Sequence, residues 1–539
     1  MRRATALGVL AAAAVGAGGL AAPAAATGPG DLQLIASQQL DSRLVELTFA
    51  TPALKADTRV RILLPAGYSS ADGRRYPVLY LLNGSLDDYR SWTDKGNAEQ
   101  ITAGLPLIVV MPDGGKGGFY SDWYNNGLGG PPEWETYHVG ELVPWVDAHY
   151  RTVGSRAGRA IAGLSMGGFG AMSYAARHPD VFVAAASFSG AVDTNYFPPS
   201  GEPDESTFDG GAPYATWGSR QSEEVRWRAH NPWDLAQNLA GLSLTLRSGN
   251  GQPGGPYGGG DPVETYVHQA SLDLHQRLDA LTIPHVWDDY GPGGHGWPYW
   301  QRDLVRTLPT IMATFAHPPP PPSPFTFTAV EPSYDVYGWH VSLQRPVLEF
   351  SELRAGASGF TLSGSGDAAV TTPPLYGPGR AYSVTVRSGS TSGSEVRYAD
   401  GNGRLHVDLR LGPPNPDQQY TPAAQSGPGT IVYTTTVTLP AAGANGPGAA
   451  SPRGCASRRV VIVRLPHGGR LHYRHITVLV DGRRIATYGG RRSVTINLTG
   501  LGPGAVVIRV VARTGAGHTV VVKRRLRTCG QARRTIRST

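Results

Sequence analysis

Gly163-Leu164-Ser165-Met166-Gly167 places a serine between two glycines, at the point where an apolar run gives way to a stretch of small residues ending before Pro179. Such a stretch reads as a strand, a tight turn and a helix. A turn that sharp lifts the serine hydroxyl clear of the backbone, and it closes only if the positions two before and two after the serine lack bulk. Gly163 and Gly167 meet that demand. A second apolar run, 181–189, follows the helix and completes the strand, turn, helix, strand order. Ser165 is the candidate nucleophile.

A serine hydroxyl attacks a carbonyl only when a base stands within hydrogen-bond reach and an acid orients that base. His295, in the loop Gly291-Pro292-Gly293-Gly294-His295-Gly296-Trp297, follows the last apolar run and is the candidate base. His285 opens a strand and His268 sits in a helical pattern, so both read as structural. The acid is expected after the run 242–247, where Asp261 and Glu264 are both available; their spacing does not separate them. Asp288 and Asp289 lie too near His295 in sequence for the usual arrangement. Two backbone N–H groups must hold the oxyanion. Met166, next after the nucleophile, supplies one; Ser85 or Leu86, in the loop after the run 76–82, supplies the other. Trp123, Tyr124, Trp134, Tyr299 and Trp300 are candidates to line an acyl or sugar cleft.

The elements that would position these groups alternate. Apolar strands are expected at 43–49, 59–65, 76–82, 105–111, 159–164, 181–189, 242–247 and 285–288, with helices between them at 134–150 and 264–281. Strands alternating with helices imply an α/β class with a doubly wound, mostly parallel sheet, and chemistry at the carboxyl ends of its strands. The catalytic domain is expected over 27–317. The proline run of 318–324 is a stiff spacer. Beyond it the helical period disappears, and short alternating runs read as a β-sandwich-like domain over 325–440, where Tyr334, Tyr337 and Trp339 offer either a carbohydrate platform or ordinary packing. A small-residue linker, 441–453, leads to a second β-sandwich-like, immunoglobulin-like domain over 454–530, with a hairpin signal at Asp481-Gly482, and a basic tail of 531–539.

With 539 residues the chain has room for several domains, and its apolar content excludes general disorder. Met1-Arg2-Arg3, an apolar stretch through Leu20 and Ala24-Ala25-Ala26 read as a signal peptide over 1–26, so a secreted protein is expected, with wall association a further expectation. In that setting the two cysteines, Cys455 and Cys529, imply one disulfide; neither has partners at metal-ligand spacing. From Arg453 onward nineteen Lys/Arg stand against one acid, Asp481, which leaves the remainder acidic on balance. The expected partner of that basic segment is an anionic wall polymer or lipid surface rather than nucleic acid.

Residues 40–315 resemble the esterase D-like family of α/β-hydrolases, and within it the secreted antigen 85 mycolyltransferases. The matching pieces are Leu79-Tyr80-Leu81-Leu82-Asn83-Gly84, Val110-Met111-Pro112-Asp113-Gly114, Phe119-Tyr120-Ser121-Asp122-Trp123-Tyr124, the Ser165 pentapeptide, Gly249-Asn250-Gly251 and the segment from His295 to Trp300. The resemblance implies an α/β-hydrolase fold and a Ser165, Glu264, His295 triad, choosing Glu264 over Asp261. It also sets Trp297 beside the acyl and sugar site. The chain departs from that family at Asn83, where the mycolyltransferases have Asp, and in a loop shorter by two residues. In those relatives this region helps to hold the trehalose acceptor.

The reading is a serine esterase working through an acyl-enzyme on a carboxylic ester, with no cofactor or metal. An acyltransferase delivering to a sugar or glycerol hydroxyl is the alternative. A non-catalytic wall-binding protein on the same scaffold is the second, which the intact Ser165, acid and His295 argue against.

Overall fold

A computed structural model describes residues 32–71, 73–124, 130–196 and 205–441, and beyond them the strand residues of 460–528. The signal-peptide segment 1–26, most of the 441–453 linker, the Asp481-Gly482 turn, Cys455, Cys529 and the 531–539 tail lie outside the described residues. The chain divides into two compact units, the first holding residues up to 321 with 346–350 and 415–430, the second the rest.

The first unit is built on nine strands: β1 (Gln33–Gln39), β2 (Leu44–Ala50), β3 (Thr58–Leu63), β4 (Val78–Leu82), β5 (Ile108–Pro112), β6 (Arg159–Leu164), β7 (Ala184–Phe188), β8 (Ser243–Ser248) and β9 (His285–Asp289). Their order in the sheet is β1-β2-β3-β5-β4-β6-β7-β8-β9. From β5 to β9 every pair is parallel, while β1, β2 and β3 join antiparallel at one edge. The helices are α1 (Ser91–Asp94), α2 (Ala98–Ile101), α3 (Val143–His149), α4 (Met166–Arg177), α5 (Arg220–His230), α6 (Pro262–Ala280) and α7 (Trp297–Ala316). The expected helix over 134–150 is a π-helical stretch, Thr136–Leu142, running straight into α3.

Strand periodicity divides the core in two. Val78, Tyr80 and Leu82 of β4 join a cluster with Ile161 of β6 and with Phe169 and Met172 of α4. Leu79 and Leu81, pointing the other way, join Ala160 and Ala162 and the α7 residues Trp300, Leu304, Leu308 and Ile311. A strand covered on both faces has no polar side to show, which is why β4 and β5 are buried at every position. This is the α/β-hydrolase fold.

The sequence expectation does not name β1 or the helices α1, α2, α5 and α7. β1 is exposed along its whole length and pairs only with β2, so no buried face imposes alternation on it. α7 carries Pro309, a helix breaker in sequence, in its interior, yet its buried positions 300, 304, 308 and 311 keep the helical spacing across it.

In the second unit, the strands between Phe325 and Thr438 form a six-stranded and a four-stranded sheet, antiparallel throughout, closed over a shared apolar core. Tyr334 and Trp339 belong to that core and Tyr337 packs edge-on against Phe325, so sandwich packing accounts for all three. The strands between 460 and 528 make a two-stranded and a four-stranded antiparallel sheet.

Candidate active site

Ser165 sits between the end of β6 and the first residue of α4, with φ 54° and ψ −122°. A non-glycine residue there carries strain of about 1–3 kcal/mol, held by its surroundings. The Ser165 amide donates to the Phe188 carbonyl at 2.9 Å, tying the turn to β7. The flanking glycines are steric necessities. A Cβ on Gly163 would stand 2.2 Å from the Gly167 carbonyl oxygen, and one on Gly167 would stand 2.5 Å from that of Asn83.

His295 meets the serine. Its Nε2 is 2.9 Å from Ser165 Oγ and its Nδ1 is 2.8 Å from Glu264 Oε2. A carboxylate only accepts, so Nδ1 carries the proton and Nε2 presents its lone pair to the serine hydroxyl. Asp261, the rival acid, caps α6 instead: its carboxylate accepts from the amides of Val263 and Glu264. That cap begins the helix and aims Glu264 at the base.

Glu264 is fully buried. Burial of a carboxylate is costly unless its oxygens are satisfied. Here Oε1 accepts from Ser189 Oγ at 2.8 Å, Ser248 Oγ at 3.0 Å and the Gly249 amide at 2.7 Å, while Oε2 takes His295. Ser189 and Ser248, which hold the Glu264 carboxylate, are residues of this site that the sequence reading passes over. Each stands at the carboxyl end of an apolar strand, the position from which such sheets present their chemistry, and that was the available signal. Tyr290 lies beside this group, and its phenol is driven well above its ordinary range by burial first, then by the negative charges of Asp303 and Glu264.

The loop after β4 packs on Ser165: a Cβ on Gly84 would be 3.2 Å from Ser165 Cβ. Asn83 is buried and engaged inside the protein, its Oδ1 accepting from the Gly114 amide at 3.2 Å and its carbonyl from Tyr120 Oη at 2.8 Å. The Leu86 amide donates to the Lys116 carbonyl at 2.8 Å and is thereby spent. Ser85 Oγ donates to Glu205.

The predicted aromatics separate. Trp300 stands edge-on to His295 at 5.0 Å, and Trp297 is edge-on to Trp300 at 5.3 Å and to Trp92 at 5.2 Å. Trp297 is only partly buried. Trp123, the other expected substrate contact, is 3% exposed and donates its indole N–H to the Gly118 carbonyl, leaving almost no ring surface for a ligand. Trp134 stacks on the buried His138, Tyr124 lies under the Arg226 guanidinium, and Tyr299 packs between Tyr257 and Tyr290. Of the other histidines, His268 stacks on Trp287 and His285 lies against His275. Asp288 binds Arg247 and Arg302.

The family described as putative esterase matches residues 51–311. The diacylglycerol acyltransferase/mycolyltransferase Ag85B of Mycobacterium leprae is 32% identical over 256 residues, covering 45% of this chain and 77% of that protein. The chain belongs to this esterase family. Esterase Rv1288 of Mycobacterium tuberculosis is 36% identical over 284 residues, 51% of this chain, and the chain spans 60% of the length of that relative. Among solved structures, Mycobacterium tuberculosis MPT51 is 25% identical with a TM-score of 0.40, covering 49% of this chain and 96% of its own.

Proposed function

We propose that this chain is an exported serine esterase that forms an acyl-enzyme on Ser165. The supporting observation is the unbroken relay from Ser165 Oγ through His295 to Glu264, at 2.9 Å and 2.8 Å. Ser165 Oγ attacks the ester carbonyl as His295 Nε2 takes its proton. Glu264 holds the imidazole in the required tautomer and stabilises the imidazolium. The oxyanion forms at the N-terminus of α4, where the Met166 amide and the helix dipole favour negative charge. The Ser85 amide is the second donor, since that of Leu86 is already committed. His295 then returns its proton to the departing alkoxide. Water, activated by the same base, releases the carboxylic acid and regenerates the serine.

An alcohol in place of water would make the same site an acyltransferase, a reading favoured by the Ag85B relative. Against a sugar acceptor held as in the mycolyltransferases stands Asn83, whose side chain is turned inward to Gly114 and Tyr120. Export is supported by the N-terminal sequence, and a role for the basic C-terminal segment at an anionic wall or lipid surface by its charge.

Product partition tests the reading. The chain and its Ser165→Ala variant are given a medium-chain p-nitrophenyl ester with and without excess glycerol or trehalose, and free acid is counted against new ester by mass spectrometry. Free acid in both conditions is expected. A dominant share of new ester would make the chain an acyltransferase, and turnover undiminished in Ser165→Ala would reject both.

A further inference from the structure

Where α6 ends and β9 begins, three side chains with metal-binding atoms converge. His275 and Asp279 are four residues apart on α6 and so share one face, and His285 is the first residue of β9. His275 Nδ1 is 2.8 Å from His285 Nε2, His275 Nε2 is 3.5 Å from Asp279 Oδ2, and His285 Nε2 is 4.0 Å from Asp279 Oδ1. Their ligand atoms all lie within 4.8 Å of one another. They line a cavity of about 290 Å³ with Thr282, Ile283, Pro284 and Trp287.

Two features go beyond proximity. His285 Nδ1 is 2.9 Å from the Ile283 carbonyl, which only accepts, so Nδ1 carries the proton and Nε2 turns its lone pair toward His275 and Asp279. An imidazole whose far nitrogen donates to a backbone carbonyl is the usual orientation of a metal-binding histidine. The His275 ring is stacked on Trp287 at 5.1 Å with 12° between the planes, which fixes the direction of its own nitrogens. His275 Nδ1 and His285 Nε2 thus face each other across 2.8 Å, with Asp279 Oδ1 4.0 Å from His285 Nε2. Tetrahedral ligands at about 2.0–2.2 Å from an ion stand roughly 3.3 Å apart, so the two rings need part by only about half an ångström.

We propose that His275, Asp279 and His285 bind a divalent transition metal, zinc foremost, through two imidazole nitrogens and one carboxylate oxygen, with water completing the coordination. The donor set is right for such an ion: imidazole suits zinc, copper and nickel, whereas calcium and magnesium call for all-oxygen sites. Binding displaces the proton that bridges the two imidazoles in the metal-free protein. The role proposed for the ion is to tie two elements together, with water in the position the protein leaves open. It joins the C-terminal end of α6, whose first turn carries Glu264, to the start of β9, which leads into the His295 loop. Occupancy therefore clamps the two elements that supply the acid and the base.

The test is isothermal titration of the full chain with zinc chloride, beside His275→Ala, His285→Ala and Asp279→Asn, with thermal unfolding of each with and without the metal. Asp279 is exposed, so its variant keeps the fold even if removal of the part-buried His285 does not. The wild-type chain is expected to take up one ion more than either histidine variant and to gain thermal stability with zinc. Loss of a histidine weakens this site by more than the 10–100-fold that an outer-shell partner is worth. Asp279→Asn, which removes the only anionic ligand, weakens it by more than about tenfold, and His295→Ala leaves it unchanged. Equal stoichiometry and affinity in the wild type and in folded His275→Ala and Asp279→Asn would overturn the proposal. So would a zinc site that disappears in His295→Ala, because the ion would then sit at the triad.

Discussion

Replacing Glu264 with Gln changes one atom of the relay and should nearly abolish turnover while leaving the fold intact. Three donors converge on Oε1, from Ser189, Ser248 and Gly249, and the Gly249 amide has no lone pair with which to accept. The carboxamide oxygen must therefore take the Oε1 position, and the NH₂ group falls where Oε2 faces His295 Nδ1. An amide N–H there donates to Nδ1, so the imidazole proton moves to Nε2, opposite Ser165. A protonated neutral Nε2 is a donor and cannot accept the serine proton. A wrong tautomer in an intact triad costs about 10⁴-fold in kcat, roughly 5.5 kcal/mol of barrier. The assay is kcat/KM on a p-nitrophenyl ester with thermal unfolding alongside. Glu264→Gln is expected to lose about 10³- to 10⁴-fold with Tm nearly unchanged. Glu264→Ala removes the acceptor of the Gly249 amide, the Ser189 hydroxyl and His295 Nδ1, while Ser248 Oγ can still donate to the Gly249 carbonyl, and should also lose stability, about 1–3 kcal/mol for a buried unsatisfied group. Glu264→Gln within tenfold of the wild type, with its fold intact, would refute the tautomer argument.

Gly163→Ala forces a Cβ to 2.2 Å from a backbone oxygen and must open the elbow; kcat/KM is expected to fall by about 100-fold or more, since about 1 Å of misplacement costs that much, with active-site titration as the check. Trp297→Ala removes an aromatic wall two rings from His295 and should cut kcat/KM for a long acyl chain about tenfold more than for acetate, read from a chain-length series. His138 is buried between the Tyr174 hydroxyl and the Asp113 carbonyl, and burial lowers its pKa to about 4. The unfolded chain then takes up this proton first, so the stability contributed by neutral His138 is whole above about pH 6.5, declines as pH falls, and levels off below about 4. Asp113, Asp122 and Asp303, whose carboxyls burial raises to about 6, 7 and 7, titrate there with the opposite sign, so the measure is the difference between wild type and His138→Gln: urea unfolding between pH 7 and 4 should show the wild type losing about 3 kcal/mol relative to the variant.

The meeting of Ser165 with His295 and the parallel sheet were legible because each leaves a local mark. Gly163 and Gly167 bracket Ser165, and the central strands, covered on both faces, read as unbroken apolar runs. The acid was not decided by spacing, since Asp261 and Glu264 lie three residues apart, and only the resemblance chose between them. The structure shows why both are there: one starts the helix and the other completes the relay. Ser189 and Ser248 were harder to see, because a serine at a strand end is common and its value arises only when two strands and a helix bring three donors to one oxygen. Trp123 shows the reverse failure, its aromatic promise ending in the core.

The decisive measurement is the site of covalent capture. The chain is incubated with a fluorophosphonate, and in parallel acid-quenched during turnover of a p-nitrophenyl ester, then digested and mapped by mass spectrometry. One phosphonyl or acyl group on the peptide that holds Ser165, absent in Ser165→Ala and greatly slowed in His295→Ala, is the expected result. An adduct on another residue, or none while ester is being consumed, would contradict an acyl-enzyme at Ser165.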